Sequence, residues 1–192
     1  MIFTPTPIVG ALVVAPQCME DERGFFARVW CDSEFAAHGV KVSIAQASLS
    51  HNNKAGTVRG MHLSLLPAQE GKLVRCQRGR MLDVIVDLRC DQPSYLKQFA
   101  VELDDRTHHA LYIPPGVAHG FQTLTDDVDV LYMMTEAYRP DLAAGVRHDD
   151  PAFGIRWPLP VSEISARDRD YPDFDPADWK RRSPSSSSGG KA

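Results

Sequence analysis

Short strand-like runs are the feature that most restricts the fold of this chain. Each run is rich in β-branched, aromatic or alternating apolar residues and is bounded by turn residues. The runs are Ala11–Val14, Phe25–Trp30, Val42–Leu49, Val58–Ser64, Lys72–Arg78, Met81–Leu88, Ala110–Ile113 and Val128–Thr135. Many short strands with few helices favour a β-sandwich or a β-barrel.

Turn and helix signals are sparse between these runs. Gly79 separates two of them, and a glycine there can supply the positive φ of a hairpin. One short helix is predicted at 33–38, with Ser33 as its N-cap and Gly39 at its end. A further helical turn or two is predicted after one of two residues, Ser162 or Pro176.

Length and composition predict one globular domain with a tail. The 192 residues correspond to about one domain, given a usual size of roughly 100–200 residues. From Lys180 the chain reads KRRSPSSSSGGKA, which is polar, rich in Ser and Gly, and without apolar periodicity. We therefore expect a single domain over 1–182 and a disordered tail over 183–192.

Charge and hydropathy exclude several classes of function. The net charge of -4 argues against a general nucleic-acid binder but allows a local basic pocket for a phosphorylated small molecule. No apolar run is long enough to span a membrane, and the N-terminus lacks the charged region of a signal peptide. The cysteines show no ligand-like spacing, so we expect free thiols in the cytoplasm.

Ionisable residues inside strand-like segments are candidates for catalytic or binding roles. Arg59 and His62 lie three apart, so they point to opposite faces of a regular strand and converge only if the strand bulges near Gly60. Lys72 at an inward position is unusual, because burying an ammonium is costly unless it is paired or useful. Taken alone, the same pattern is equally consistent with Arg59 on the surface, His62 in the core with its ring nitrogens hydrogen-bonded, and Lys72 exposed to solvent at a sheet edge.

The arrangement of glycine and histidine residues is typical of cupins. A Gly and a His on one strand are followed some 50 residues later by a PxGxxH pattern that ends at His119. Metal-binding cupins carry a second His two residues after the first, but here the sequence is His62-Leu63-Ser64. Glu70 falls in a Pro-containing turn rather than at the usual ligand distance. The sequence therefore predicts no bound metal.

Eight segments in order carry a family resemblance. They are DERGFF (21–26), VRGMH (58–62), GKLVR (71–75), DVIVDLR (83–89), YIPPGVAHGFQTL (112–124), LYMMTEAY (131–138), DDPAFGIRWP (149–158) and SARD (165–168). Over roughly residues 5–172 the chain resembles the dTDP-4-dehydrorhamnose 3,5-epimerase family. The resemblance implies an all-β, cupin-type jelly-roll barrel with a few short helices. It also implies a homodimer with strand exchange, in which the N-terminal region reaches the partner's pocket, and an enzyme without metal or organic cofactor.

The resemblance also implies roles for the site residues. His62 would be the base that removes the proton next to a ketone, and Asp168 would orient and stabilise it. Lys72 would stabilise the enolate oxygen, and Tyr132 would return a proton from the other face of the sugar. Arg23 and Arg59 would bind the diphosphate, and the remaining substrate contacts would come from Phe26, Arg28, Gln46, His119 and Tyr138.

Departures from the family pattern leave the substrate open. Arg28 replaces a Glu that hydrogen-bonds thymine in rhamnose-pathway members, and a guanidinium can only donate. The stretch QASLS (46–50) replaces QDNHS, and Ala137-Tyr138 replaces a Tyr pair. We expect a nucleoside-diphosphate 4-keto-6-deoxyhexose, with dTDP-4-keto-6-deoxyglucose favoured and guanine, cytosine or uracil as alternative bases. Inversion at C3, at C5 or at both remains open, as does the product, which could serve lipopolysaccharide, capsule or antibiotic synthesis.

Three other functions compete with epimerisation. A 3,4-ketoisomerase on the same barrel would move the ketone by shuttling a proton on one face and would not need Tyr132. A noncatalytic sugar-nucleotide binding module would bind the ligand without exchanging its α-protons. A metal-dependent cupin enzyme is disfavoured by Ser64.

Overall fold

The computed structural model describes residues 1–182 and consists mainly of antiparallel strands. The strands are β1 (Ile2–Pro5), β2 (Leu12–Ala15), β3 (Cys18–Asp21), β4 (Gly24–Ala27), β5 (Gln46–Asn52), β6 (Val58–Ser64), β7 (Lys72–Arg78), β8 (Arg80–Asp87), β9 (Gln98–Asp104), β10 (Ala110–Ile113), β11 (Val117–Thr123), β12 (Val128–Met134) and β13 (Ala143–Gly145). The helices are α1 (Asp32–Ala37), α2 (Ala166–Arg169) and α3 (Pro176–Arg182). The predicted tail at 183–192 lies outside the described residues.

Two sheets face each other and form the barrel. One has six strands in the order β1-β2-β10-β7-β12-β5, and the other has five in the order β13-β6-β11-β8-β9. Strands β3 and β4 form a separate hairpin. The chain crosses between the large sheets repeatedly, so neighbouring strands are often distant in sequence. The predicted all-β barrel with few short helices is confirmed.

Apolar side chains from both sheets fill the space between them. The six-stranded sheet contributes Val74 and Val130, and the five-stranded sheet contributes Ile85 and Phe121 to the same fully buried cluster. A second cluster lies on the outer face of the five-stranded sheet, where Trp179 of α3 packs and donates its indole N–H to a backbone carbonyl at 2.9 Å. Strand β11 is therefore buried along its whole length.

Several expected strands agree with the structure. Val58–Ser64, Lys72–Arg78 and Ala110–Ile113 have the predicted bounds, whereas Phe25–Trp30 and Val42–Leu49 are displaced relative to the strands that form. Strands β1, β3, β9 and β13 were missed. Strands β1, β3 and β13 have only three or four residues, too few to show a pattern. Strand β9 does alternate, because Phe99, Val101 and Leu103 face the core between more exposed residues, and it should have been predicted.

Two local expectations are corrected. Gly79 has the predicted positive φ of 79°, but β7 and β8 belong to different sheets, so it turns the chain between sheets and does not close a hairpin. Helix α1 begins after Cys31, which makes no side-chain cap, so the assignment of Ser33 as N-cap was wrong. Gly39 follows the helix with a φ of 86° and ends it as expected. Over residues 1–182, no helix is both long and apolar enough to cross a membrane.

Candidate active site

A bulge in β6 brings Arg59 and His62 to the same cavity. His62 pairs with His119 and Arg59 pairs with Phe121, so three residue steps of β6 match two steps of β11. Gly60 within the bulge has a φ of 127°, and a Cβ there would lie 2.5 Å from the Cα of Gly120. Only glycine meets both conditions without strain. The bulge that the sequence required for convergence is present.

The inner part of the cavity has a volume of about 250 Å³, and the residues that line it are polar or ionisable. Its lining residues are Ser50, Arg59, His62, Lys72, His119 and Tyr132. His62 and His119 come from the five-stranded sheet, whereas Lys72 and Tyr132 come from the six-stranded sheet. The proposed base and the proposed acid therefore face the cavity from opposite walls.

Asp168 holds His62 in one orientation. Its Oδ1 lies 2.7 Å from Nε2 of His62, and its Oδ2 accepts the backbone N–H of Gly60 at 3.1 Å. The Ser165 hydroxyl caps α2 by accepting the backbone N–H of Asp168 at 3.1 Å, which fixes the carboxylate relative to β6. With an ionised acceptor at Nε2, the proton of the neutral imidazole lies on Nε2, and Nδ1 is the nitrogen that can accept another.

The carboxyl group of Asp168 favours its ionised form. Burial acts to raise the pKa of Asp168, but the hydrogen bond and the charge of His62, with the bonds from Gly60 and Ser165, outweigh it and lower this pKa. Asp168 thus stays a carboxylate beside His62. A carboxylate in this place stabilises the imidazolium that forms when His62 takes a proton.

Tyr132 keeps its proton. Burial is the main cause that raises the pKa of its phenol, and the nearby charge of Asp83 raises it further, while Arg59 acts in the opposite direction. A phenol with a raised pKa is neutral at physiological pH. Tyr132 therefore faces the cavity as a proton donor.

A second histidine–carboxylate pair lies behind the first. His119 Nε2 is 2.5 Å from Oδ1 of Asp83, and both side chains are buried, with His119 only 5% exposed. The rings of His119 and Tyr132 meet edge to face with their centroids 6.0 Å apart. This pair supports the wall of the cavity and leaves His62 as the more accessible of the two histidines.

The outer part of the cavity measures about 480 Å³ and is lined by Gln46, Ser48, His62, Leu63, Ser64, Glu70, Lys72, Tyr132, Met134, Tyr138, Ala143, Ala144 and Arg167. It includes two predicted substrate contacts, Gln46 and Tyr138. The side-chain nitrogen of Gln46 and the hydroxyl of Ser50 are buried and have no hydrogen-bond partner among the described residues. Buried polar groups are normally satisfied, so these two can bond a ligand in the cavity.

Arg59 is held at the end of the inner cavity. Its Nε donates to Oδ1 of Asn52 at 2.7 Å, and its Nη2 donates to the backbone carbonyl of His51 at 3.4 Å. Asn52 is buried and donates in turn to the carbonyl of Val128. The guanidinium is therefore oriented before any anion binds, which suits its predicted contact with a diphosphate.

Three predicted substrate contacts lie outside this cavity in the single chain. Arg23 follows β3 with its side chain 88% exposed and pairs with Asp21, and Phe26 of β4 is 71% exposed. Arg28 pairs with Glu34 at 2.8 Å, and with Phe26 it lines a separate cavity of about 430 Å³. Their contact with substrate stays a prediction.

Two carboxylates at or behind the cavity wall, Glu70 and Asp83, had no role predicted from the sequence. Glu70 was noted only as an improbable metal ligand, yet its carboxylate forms an ion pair with Lys72 at 3.2 Å. Asp83 contacts His119, and the signal for it was a carboxylate inside the apolar run of β8. A charged residue that is buried in a sheet needs a partner, but the partner cannot be read from periodicity.

Comparison with known sequences agrees with the family resemblance seen in the sequence motifs. A model of the dTDP-4-dehydrorhamnose 3,5-epimerase family matches residues 5–176. A dTDP-4-dehydrorhamnose 3,5-epimerase of Sinorhizobium fredii is 37% identical over 173 residues, which cover 90% of this chain and 89% of the relative. A dTDP-4-dehydrorhamnose 3-epimerase of Streptomyces niveus is 36% identical over 171 residues, which cover 88% of this chain and 82% of the relative.

The similarity extends to three-dimensional structure. The crystal structure of a dTDP-4-dehydrorhamnose 3,5-epimerase from Bacillus anthracis, with TDP and PPi bound, superposes with a TM-score of 0.87 at 34% identity. The match covers 90% of this chain and 99% of the other. The predicted cupin-type architecture is thereby confirmed.

Proposed function

The chain belongs to the dTDP-4-dehydrorhamnose 3,5-epimerase family, and from this premise we propose that it inverts C3, C5 or both of a nucleotide-linked 4-keto-6-deoxyhexose. One observation carries the assignment of residues. His62, held by Asp168, faces Lys72 and Tyr132 across a single cavity whose two walls come from different sheets. A sugar ring between these walls would present one face to a base and the other to an acid.

The first half of the reaction is proton removal. A C–H bond next to a ketone is a weak acid, because its electron pair must move onto the ketone oxygen as an enolate. Nδ1 of His62 would take the proton and form an imidazolium, which the carboxylate of Asp168 stabilises. The ammonium of Lys72 would stabilise the negative oxygen that develops.

The second half is proton return from the opposite face. The Tyr132 O–H bond breaks as a C–H bond forms at the enolate carbon, which restores the ketone and leaves a phenolate. The imidazolium of His62 and the phenolate then return to their starting forms by proton exchange with solvent. Because the two groups face the ring from opposite walls, the carbon is inverted.

The opposite-wall arrangement favours epimerisation over ketone transfer. A 3,4-ketoisomerase moves a proton along one face of the ring and has no use for a buried phenol on the other wall. A binding module alone has no use for the His62–Asp168 pair. Metal-dependent chemistry would need a ligand cluster, and residues 1–182 contain no group of three or more His, Cys, Asp or Glu placed to hold a metal ion. Independence from metals and organic cofactors stays a prediction.

Substrate identity rests on the relatives and on the pocket. Relatives are named as acting on dTDP-linked sugars, and dTDP-4-keto-6-deoxyglucose is the favoured substrate. Because both a 3,5-epimerase and a 3-epimerase are more than a third identical to this chain, similarity does not select the carbon. Arg28 is engaged with Glu34, so a pyrimidine or purine base would meet a guanidinium–carboxylate pair in this region.

We also propose a homodimer, in which the β3–β4 hairpin reaches the cavity of the partner. The hairpin carries exposed Met19, Phe25 and Phe26, an apolar surface that a single chain leaves uncovered, and Arg23 lies in its turn. Contribution from a second chain would unite all predicted substrate contacts in one site. A cytoplasmic location likewise stays a prediction.

Proton NMR in D₂O tests the proposed function. The protein is incubated with 4-keto-6-deoxyhexoses linked to dTDP, GDP, CDP or UDP, and the H3 and H5 signals are followed over time. We expect loss of one or both signals with the dTDP sugar, together with the coupling pattern of the inverted product. Binding without any exchange, for all four nucleotides, would contradict an epimerase.

A further inference from the structure

Glu70 lies inside the outer part of the cavity. Its side chain is 8% exposed, and it supplies the one carboxylate among the described residues that line this part of the cavity. Its Oε1 lies 3.2 Å from Nζ of Lys72, whose side chain is 15% exposed. Burial of either charge alone would be costly, so the two groups depend on each other.

The backbone around Glu70 is fixed to the end of β12. The N–H of Gln69 donates to the carboxylate of Glu136 at 2.7 Å, and the N–H of Gly71 donates to the hydroxyl of Thr135 at 2.8 Å. The hydroxyl of Thr135 donates to the carbonyl of Gln69, and its N–H donates to the carbonyl of Gly71 at 3.0 Å. Residues on both sides of Glu70 are thus anchored, which gives its carboxylate a defined place.

We propose that Glu70 is a positioning residue for Lys72, an inference that rests on the proposed function. A lysine side chain is long and flexible, and it tends to extend toward solvent when its ammonium lacks a partner. The anchored carboxylate keeps the ammonium inside the cavity, opposite His62, before the substrate arrives. Lys72 can then stabilise the enolate oxygen without first being reoriented.

This role differs from direct recognition of the sugar. Glu70 acts through Lys72, so its contribution exists only while Lys72 is present. A carboxylate that instead accepted a sugar hydroxyl would contribute with or without Lys72. The negative charge also weakens the field of the ammonium, so the proposal requires that positioning outweighs this opposing effect.

The first experiment compares the native protein with Glu70→Gln, which keeps the shape and removes the charge. The rate of α-proton exchange into dTDP-4-keto-6-deoxyglucose is measured by NMR in D₂O over a range of substrate concentrations. We expect kcat for exchange to fall by about tenfold to a hundredfold, the range for a misplaced catalytic group, with KM changed less than about threefold. Glu70→Asp should fall between the two. An unchanged or faster Glu70→Gln enzyme would overturn the proposal.

A double-mutant cycle with Lys72→Met separates the two roles. Loss of one electrostatic group costs about 10²- to 10³-fold, so slow exchange by Lys72→Met remains measurable at high enzyme concentration. We expect Glu70→Gln to change this residual rate by less than about twofold, because the two residues act as a unit. If Glu70→Gln lowers the exchange rate by the same factor in the native protein and in Lys72→Met, Glu70 acts directly on the substrate and the positioning role is refuted. Native activity in Lys72→Met would instead refute the role of Lys72 in the proposed function.

A matched control uses the neighbouring carboxylate. Glu136→Gln makes the same chemical change and keeps the oxygen that accepts the N–H of Gln69. It should leave the exchange rate within about twofold of native, and both variants should bind TDP as the native protein does. If Glu136→Gln lowers the exchange rate as much as Glu70→Gln does, the loss of rate comes from disturbance of the loop around Glu70, and the proposal is overturned.

Discussion

At the residue scale, two histidines on neighbouring strands have different surroundings. His62 and His119 are cross-strand partners, and each contacts a carboxylate. The side chain of His62 is 39% exposed in the cavity, whereas His119 and its partner Asp83 are buried. Only His62 combines a defined orientation with access to a ligand. The division of roles between the histidines therefore follows from burial.

Substitution of His62 by Ala should abolish exchange while the fold is retained. The lost general base is worth about 10²- to 10⁴-fold in rate, and the side chain is too exposed to be essential to the core. NMR exchange and circular dichroism measure the two properties. His51→Ala, an exposed histidine outside the cavity lining, serves as control and should keep native exchange. Undiminished exchange by His62→Ala would show that another residue is the general base.

Tyr132→Phe should separate exchange from inversion. The base remains, so exchange of the α-proton should stay within about tenfold of native, while net inversion falls by about 10²-fold or more with loss of the acid. The measurement is simultaneous NMR detection of deuterium incorporation and product. Full inversion by this variant would remove Tyr132 from the mechanism.

Asp168→Asn should affect both rate and the pH dependence of stability. A neutral amide cannot stabilise the imidazolium of His62, so exchange should fall by about 10²- to 10⁴-fold. The pKa of Asp168 is lowered in the folded protein from an ordinary value of 3.8, so its ionised form stabilises the fold above that pH, and this stabilisation is lost as the pH falls below it.

Urea unfolding at a series of pH values checks the direction of this pH dependence of stability. The native protein should exceed Asp168→Asn in unfolding free energy by about 1–3 kcal/mol near neutral pH, the cost of disturbing a buried hydrogen-bonded group. The difference should shrink as the pH falls through and below 3.8. A difference that grows on acidification would contradict the lowered pKa.

At the element scale, the bulge of β6 builds the site. It turns Arg59 and His62 toward one cavity, and it places the N–H of Gly60 against the carboxylate that holds His62. Helix α2 completes the arrangement, because its Ser165 cap sets the position of Asp168. The β-bulge in β6 and the four-residue helix α2 thus position the proposed base.

Gly60→Ala should disrupt this element. The new Cβ would lie 2.5 Å from a backbone atom of β11, at a positive φ. Gly24→Ala is a matched control, because its φ of 124° is nearly the same and nothing lies within 4 Å of its added Cβ. Gly60→Ala should lower the unfolding free energy by about 1–3 kcal/mol more than Gly24→Ala, measured in urea. Equal losses would mean that φ alone, and not close packing of the strands, requires the glycine.

At the scale of the whole molecule, one chain holds the proposed catalytic residues but not all predicted substrate contacts. No residue of the β3–β4 hairpin is among the described residues that line the cavity of its own chain, and its apolar side chains are exposed. A dimer that exchanges this hairpin would cover the exposed apolar surface and complete two sites at once. Catalysis would then depend on association of two chains.

Mixing two inactive variants tests the shared site. His62→Ala lacks the proposed base and Arg23→Ala lacks a proposed diphosphate contact, so each homodimer should be impaired. In a mixed dimer, one site combines the intact His62 of one chain with the intact Arg23 of the other. Activity should therefore rise after the variants are unfolded and refolded together, measured by exchange. Activity equal to the mean of the two separate variants would contradict the shared site.

The amino-acid sequence by itself determined the strand-rich architecture and the chemical types in the cavity. The alternation of apolar residues predicted β6, β7 and β10 with their observed bounds, and ordered motifs selected His62 and Lys72. These properties depend on short stretches of chain, whose side-chain directions follow from strand periodicity. The need for a bulge near Gly60 was also visible in the sequence, because of the spacing of its neighbours.

Only the tertiary structure decided the contacts that no family motif implied. The pairing of Asp168 with His62, 106 positions apart, followed from the family resemblance and not from strand periodicity. Glu70 contacts Lys72 through a loop whose path the end of β12 sets, and this contact was not predicted. Asp83 finds His119 because β8 and β11 are neighbours in the sheet. Contacts between distant residues depend on strand order and on crossings between sheets, and local periodicity carries no information about either.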